Sequence, residues 1–175
     1  MTANRLRRNR PIIGIATAVA GAAVLVGIVL AQVSSAFPFR WLFIASAVAL
    51  VVAFAAAGSS GGFNDAGRLA FAAGAVGWFV YALSSVLSNV ASIITEVGVG
   101  LALIGSLVAG LVVYARHSFG TRANSFFLLA MILTAAYLLV QIVPMPWLSS
   151  VIVVLLSLLW GASLVLAGLY ILQRK

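Results

Sequence analysis

The sequence contains no cysteine and very few charged residues. Only 7% of its 175 residues are charged, whereas a soluble domain carries roughly 25%. So few charges cannot cover a surface that faces water, and we therefore expect lipid to surround most of the chain. The absence of cysteine excludes disulfides, thiolate metal ligands and redox thiols.

Acidic residues are the scarcest charged type. The chain has two of them, Asp65 and Glu96, and a single histidine, His117. Paired carboxylates and metal-ligand clusters cannot be built from this set, and phosphate-binding loops are absent. A serine–histidine pair within the bilayer is not expected either, since His117 falls in a polar loop between predicted spans. We therefore expect no catalytic residue, no metal site and no cofactor, and we interpret the protein as a non-enzyme.

The net charge of +8 would suggest nucleic acid as a partner in a soluble protein. Here the basic residues lie at the ends of apolar runs and not along one face. We therefore expect a lipid bilayer, and no nucleic acid, to be the principal partner. A membrane protein or a second copy of the chain is a further expected partner.

Long uncharged runs dominate the rest of the sequence, which is 65% hydrophobic. The first runs from Ile12 to Val33, and about 20 residues at 1.5 Å each cross the hydrocarbon core of a bilayer. The pattern predicts one membrane domain, 1–175, that is all-α and polytopic. Its six transmembrane helices form three hairpins, with spans at about 12–33, 41–57, 66–88, 97–115, 125–143 and 147–172.

The distribution of basic residues predicts the orientation. With six spans, nine of the ten basic residues fall on the side of the N-terminus and only Arg40 falls on the other. Basic residues are retained on the cytoplasmic side. We therefore expect both termini in the cytoplasm and a multi-pass location in a bacterial-type plasma membrane.

Local patterns predict some of the packing and one helix start. Asn64 or Asp65 can cap helix 3, and Asp65 can pair with Arg68 three residues on. Small residues recur at every fourth position in two helices, which lets backbones approach closely in lipid. The two stripes are Ala45, Ala49, Ala53 and Ala57 in helix 2, and Gly98, Ala102, Ser106 and Gly110 in helix 4.

Glu96 is the most informative candidate for a site. Ionisable residues at or near membrane depth are costly and are functional candidates. Arg40 is the one basic residue expected on the same side, and the two could form an ion pair. Four further side chains, expected at similar depth, could complete a shallow outward-facing pocket that binds a ligand or ions: Gln32, Gln141, Trp41 and Trp147.

A structural role for the same residues stays open. A glutamate at a helix N-terminus is stabilised by the helix dipole alone, and glutamines at helix ends simply meet water. Trp78, Tyr81, Tyr137 and Trp160 lie inside the spans. They either pack within the bundle or stack on an apolar ligand such as a quinone or lipid tail.

The three hairpins, the basic N-terminus and the Phe37-Pro38-Phe39 turn resemble the HdeD-type six-helix membrane family. That resemblance implies the same topology and an association with acid resistance, with no assigned chemistry.

We expect an integral membrane protein without catalytic chemistry. It would act as an accessory, assembly or stress-protection factor through helix packing with lipid or a membrane partner. The alternative is a transport component, such as the substrate-binding membrane subunit of a vitamin importer, whose six spans and length are similar. In that case the outward-facing polar pocket would be the binding site.

Overall fold

The computed structural model describes residues 2–33, 40–60, 62–87, 92–142 and 150–173. Within these ranges the chain is all-helical and contains no strand. Each helix is long and apolar enough to cross a membrane. The predicted class, an all-α bundle with six candidate spans, is therefore confirmed. The helices are α1 (Thr2–Val33), α2 (Arg40–Gly58), α3 (Asp65–Val86), α4 (Ser92–Ala115), α5 (Thr121–Ile142) and α6 (Ser150–Gln173).

The six helices form a closed ring. Each packs against its neighbours in sequence, and α1 also packs against α6. Among the described residues, no other pair of helices comes into backbone contact. The three expected hairpins, α1–α2, α3–α4 and α5–α6, are all present and are joined side by side.

Apolar side chains cover the outside of this ring. Val48 on α2, Ile104 on α4 and Leu159 on α6 are 50%, 60% and 59% exposed. Every helix carries large exposed hydrophobic residues of this kind, far more than a water-soluble surface tolerates. The ring therefore presents a lipid-compatible surface in all directions.

Glycines form the closest helix contacts of the ring. On the α3–α4 seam, a Cβ added at Gly77 would overlap the backbone of Ala102, and one at Gly105 would overlap the backbone of Gly74. The α1–α6 seam is built in the same way. There, a Cβ added at Gly168 would lie 2.5 Å from the carbonyl oxygen of Gly14. Without a hydrophobic effect between helices, such close backbone packing is a main source of stability in lipid.

The two small-residue stripes differ in how they are used. All four members of the α4 stripe are buried, and Ala102 touches α3 directly. In α2 the stripe is buried from Ala49 onward, whereas Ala45 is exposed. The stripe in α4 therefore marks a helix interface along its whole length, and the one in α2 does so only in part.

Helix α1 begins about ten residues before the predicted span and continues through Pro11. Proline removes one helical hydrogen bond and normally ends or kinks a helix. Here the extension is held by tertiary contacts. The Asn9 amide donates to the carbonyl oxygen of Ala56 at 2.9 Å, and Leu6 lies against Gly62.

The start of α3 has the predicted cap. The side chain of Asn64 accepts a hydrogen bond from the Gly67 N–H at 3.1 Å, which satisfies one of the free N–H groups of the first turn. Asp65 and Arg68 form the expected ion pair at 3.9 Å, with both side chains well exposed.

Helix α4 starts at Ser92, earlier than predicted, so Glu96 lies within its second turn.

The two ends of the ring differ in charge. One end of the bundle holds the start of α1, the turn between α2 and α3, the loop between α4 and α5, and the end of α6. We call it the basic end. The described arginine side chains there are Arg7, Arg8, Arg10, Arg68, Arg116 and Arg122, whereas Arg40 lies at the opposite end.

Candidate functional site

Three of the predicted site residues have described side chains at the opposite end, and the ring keeps two of them apart. Arg40 begins α2 and Glu96 lies in α4, with α3 between these helices. Both side chains are exposed, and among the described residues no ion pair joins them. The Arg40 guanidinium lies instead 5.4 Å from the centre of the Trp41 ring, a cation–π distance.

The other three candidates stay predictions. Trp147 lies outside the described residues, as does the Phe37-Pro38-Phe39 turn. Gln32 and Gln141 lie in the last turns of α1 and α5, but their side chains are outside the described part of the structure.

We expect Arg40 and Glu96 to be energetically independent. Neutralising them as Arg40→Gln, Glu96→Gln and the double variant should give additive changes in unfolding free energy, with a coupling below about 0.5 kcal/mol. The measurement is SDS-induced unfolding of the four proteins in detergent micelles. A coupling clearly above 1 kcal/mol would mean that the two charges meet across the end of the bundle.

Aromatic rings fill the centre of the bundle towards the opposite end. Five of these rings form a group that we call the aromatic column: Phe43, Tyr137, Trp160, Trp78 and Tyr81. Tyr137 stacks on Phe43 across the ring at 6.2 Å and on Trp160 at 4.8 Å. Trp160 in turn stacks on Trp78 at 6.2 Å, and Tyr81 packs edge-on against Trp78 at 5.7 Å. The column therefore links four helices, α2, α3, α5 and α6, that do not all touch through their backbones.

Polar atoms of the column are only partly satisfied by the described residues. The Trp78 indole N–H donates to the Ser106 hydroxyl at 3.3 Å, and a side-chain hydrogen bond joins Tyr81 and Tyr137. The indole nitrogen of Trp160 has no hydrogen-bond partner within the described chain, although the side chain is only 1% exposed. The intramembrane aromatics thus pack mainly on one another, which matches the packing alternative of the sequence analysis.

Phenylalanines fill the bundle towards the basic end. Phe71 packs edge-on against Phe54 at 5.6 Å and against Phe63 at 4.8 Å. Phe119, from the loop before α5, packs against Phe127 at 6.3 Å. These rings are all buried and uncharged, so much of the interior near this end is apolar, although Ser60 and Asn124 are also fully buried there.

The basic end is closed by side chains that cross between helices. The Arg10 guanidinium donates to the Ser118 carbonyl oxygen at 3.4 Å, joining α1 to the loop between α4 and α5. His117 in the same loop is exposed, and its ring lies 6.3 Å from that of Tyr114. The histidine is therefore a surface residue of the loop, as its sequence context predicts.

A groove at the basic end was not predicted from the sequence. It has a volume of about 240 Å³ and lies between the start of α5 and the end of α6. The sequence signals only one side of it, through a glycine directly before a helix whose first turn carries an arginine. The lining residues are Phe119, Gly120, Thr121, Arg122, Ala123, Tyr170 and Gln173.

Within the described residues, no group of three or more His, Cys, Asp or Glu side chains could hold a metal ion. No protein-family model matches this chain, and no curated protein or solved structure matches it either. The functional argument therefore depends on the sequence and on the geometry of the bundle.

Proposed function

We propose that this membrane protein acts without catalytic chemistry, as an accessory, assembly or stress-protection factor that works through its contacts with lipid or a membrane partner. The observation that carries the proposal is the closed ring of helices with an interior filled by packed aromatic rings. A bundle built in this way offers its outer faces, and not its interior, for interaction.

The content of the interior supports this role over transport. Transport paths through membranes are marked by ionisable groups that face the bundle interior. Along the described spans, the fully buried polar side chains are hydroxyls of serine, threonine and tyrosine, the amide of Asn124 and the indoles of Trp78 and Trp160, and none of these carries a charge. The alternative of a vitamin-importer-like subunit needs an outward-facing pocket. Among the described residues, Arg40 and Glu96 lie on helices separated by α3 and form no ion pair, which gives that alternative no support.

The charge difference between the two ends supports a location in a bacterial-type plasma membrane. Six described arginines lie at the basic end and one at the opposite end, and the positive-inside rule then assigns the basic end to the cytoplasm. In this orientation both chain ends are cytoplasmic. The resemblance to the HdeD-type family, which was drawn from the same topology, is the reason for including stress protection among the three accessory roles.

Site-specific photo-cross-linking in native membranes tests the proposal. A photoreactive amino acid replaces Val48, Ile104 or Leu159, one on every second helix of the ring and each at least half exposed. An accessory factor should form a specific adduct with one membrane protein, or with a second copy, from one of these faces. The other two positions then serve as controls, since they carry the same photoreactive group on other faces of the ring.

The same preparation tests the transport alternative. Protein extracted into copolymer nanodiscs is analysed by mass spectrometry for small molecules retained at a one-to-one ratio. We expect none apart from lipid. A retained polar small molecule, together with the absence of any specific protein adduct from all three faces, would contradict the accessory role and favour transport.

A further inference from the structure

The groove at the basic end combines an exposed arginine with an apolar wall. Arg122 lines it and has an exposed side chain. The chain has only two acidic side chains: Asp65 pairs with Arg68, and Glu96 lies at the opposite end. No side-chain carboxylate is therefore available to neutralise the Arg122 guanidinium.

Backbone N–H groups at the start of α5 add to this positive potential. The preceding residue, Gly120, has no side chain that could cap the helix, and its φ of 97° suits only glycine. The amide oxygen of Asn124 is already engaged by the Phe119 N–H at 2.9 Å. The first-turn residues Thr121, Arg122 and Ala123 line the groove, and within the described residues no acceptor is recorded for their N–H groups. The start of a helix with free N–H groups favours an anion nearby.

The opposite wall of the groove is suited to hydrocarbon. Tyr170 is half-buried and stacks on Phe126, with ring centres 5.4 Å apart and planes within 9° of each other. Leu169 and Leu172, next to it on α6, are 44% and 39% exposed. The groove thus opens beside exposed apolar side chains, where one candidate span begins and the next one ends.

We propose that this groove binds the phosphate of an anionic phospholipid in the leaflet at the basic end. Arg122 and the first-turn N–H groups of α5 hold the phosphate oxygens, and Gln173 at the end of α6 lies beside the headgroup. The stacked rings of Tyr170 and Phe126 support the first carbons of the acyl chain. The apolar wall and the position at the membrane surface favour a lipid over free phosphate, because free phosphate has no hydrocarbon to place against that wall. The proposal holds whether or not the protein has the accessory role.

Native mass spectrometry of the full-length protein in detergent micelles tests this site. The protein is titrated with phosphatidylglycerol and, separately, with phosphatidylcholine. The variants are Arg122→Gln, Gln173→Trp to fill the groove while keeping the arginine, and Arg116→Gln as the matched control. Arg116 is an exposed arginine at the start of the same loop and does not line the groove.

We expect one phosphatidylglycerol to bind the unmodified protein at least fivefold more tightly than phosphatidylcholine does. Arg122→Gln should weaken it about tenfold, as expected for the loss of a charged hydrogen bond. Gln173→Trp should also weaken binding, whereas Arg116→Gln should change it less than twofold. If Arg122→Gln and Arg116→Gln weaken phosphatidylglycerol binding equally, the affinity comes from general charge attraction and the proposed site is wrong. Displacement of the lipid by 10 mM inorganic phosphate would assign the groove to free phosphate instead.

Discussion

Replacing Gly105 by alanine should strongly destabilise the bundle, whereas the same change at Gly100 should leave it folded. A Cβ at position 105 would overlap the N and Cα atoms of Gly74 on α3, and backbone atoms cannot move aside as the end of a side chain can. The two helices would have to separate along their whole seam. We expect a cost of about 3 kcal/mol or more, at or above the upper end of overpacking effects.

Gly100 provides a matched control on the same helix. A Cβ added there meets nothing within 4 Å, so Gly100→Ala adds the same methyl group without a clash. Its higher helix propensity should stabilise α4 by up to about 1 kcal/mol. SDS-induced unfolding of both variants, followed by circular dichroism, measures the difference. If both variants unfold at the same SDS fraction as the unmodified protein, α3 and α4 are not in backbone contact.

Much of the fold could be predicted because each span is a local property of the sequence. A run such as Ile12–Val33 needs only its own length and lack of charge to identify it, and Asn64 caps α3 through a neighbour three residues away. The helix ends were less predictable. The extension of α1 before Pro11 depends on contacts with Ala56 and Gly62, which are distant in sequence.

The closure of the ring could not be read from the stripes of small residues at every fourth position. The informative spacing is longer: Gly14 and Gly21 in α1 lie seven residues apart, as do Gly161 and Gly168 in α6. Glycines seven residues apart lie on one face of a helix, two turns from each other. The α1–α6 seam uses both pairs, and it is this seam that closes the ring.

The candidate site could not be predicted for a different reason. Hydropathy and charge predict the depth of a residue in the membrane but not the direction in which its helix faces. Arg40 and Glu96 were expected near each other because both lie near the same end. The ring order puts α3 between them, because helices that are adjacent in sequence are adjacent in space. The groove at Arg122 is formed by the start of α5 and the end of α6, which are about fifty residues apart in sequence, so no local pattern brings them together.

Removal of Trp160 is expected to have the largest effect in the interior. Trp160 and Trp78 each lie 13 residues from the basic end of their helices, at Gln173 and Asp65, or roughly 20 Å at 1.5 Å per residue. At this depth the Trp160 ring stacks on both Trp78 and Tyr137 and links opposite sides of the ring. Trp160→Ala should therefore destabilise the protein by roughly 3–5 kcal/mol, since it leaves a large cavity and ends two stacking contacts.

The change of each tryptophan to phenylalanine separates ring packing from hydrogen bonding. Both variants keep an aromatic ring. Trp78→Phe also removes an indole N–H that donates to the buried Ser106 hydroxyl, whereas Trp160→Phe removes one with no partner in the described chain. An unpaired buried donor is itself destabilising. Trp78→Phe should therefore cost about 1 kcal/mol more than Trp160→Phe, a difference in line with hydrogen bonds between membrane helices. SDS unfolding of the two variants in parallel gives this difference directly. A larger loss from Trp160→Phe would mean that its N–H is bonded and that the aromatic column holds a polar contact as important as that of Trp78.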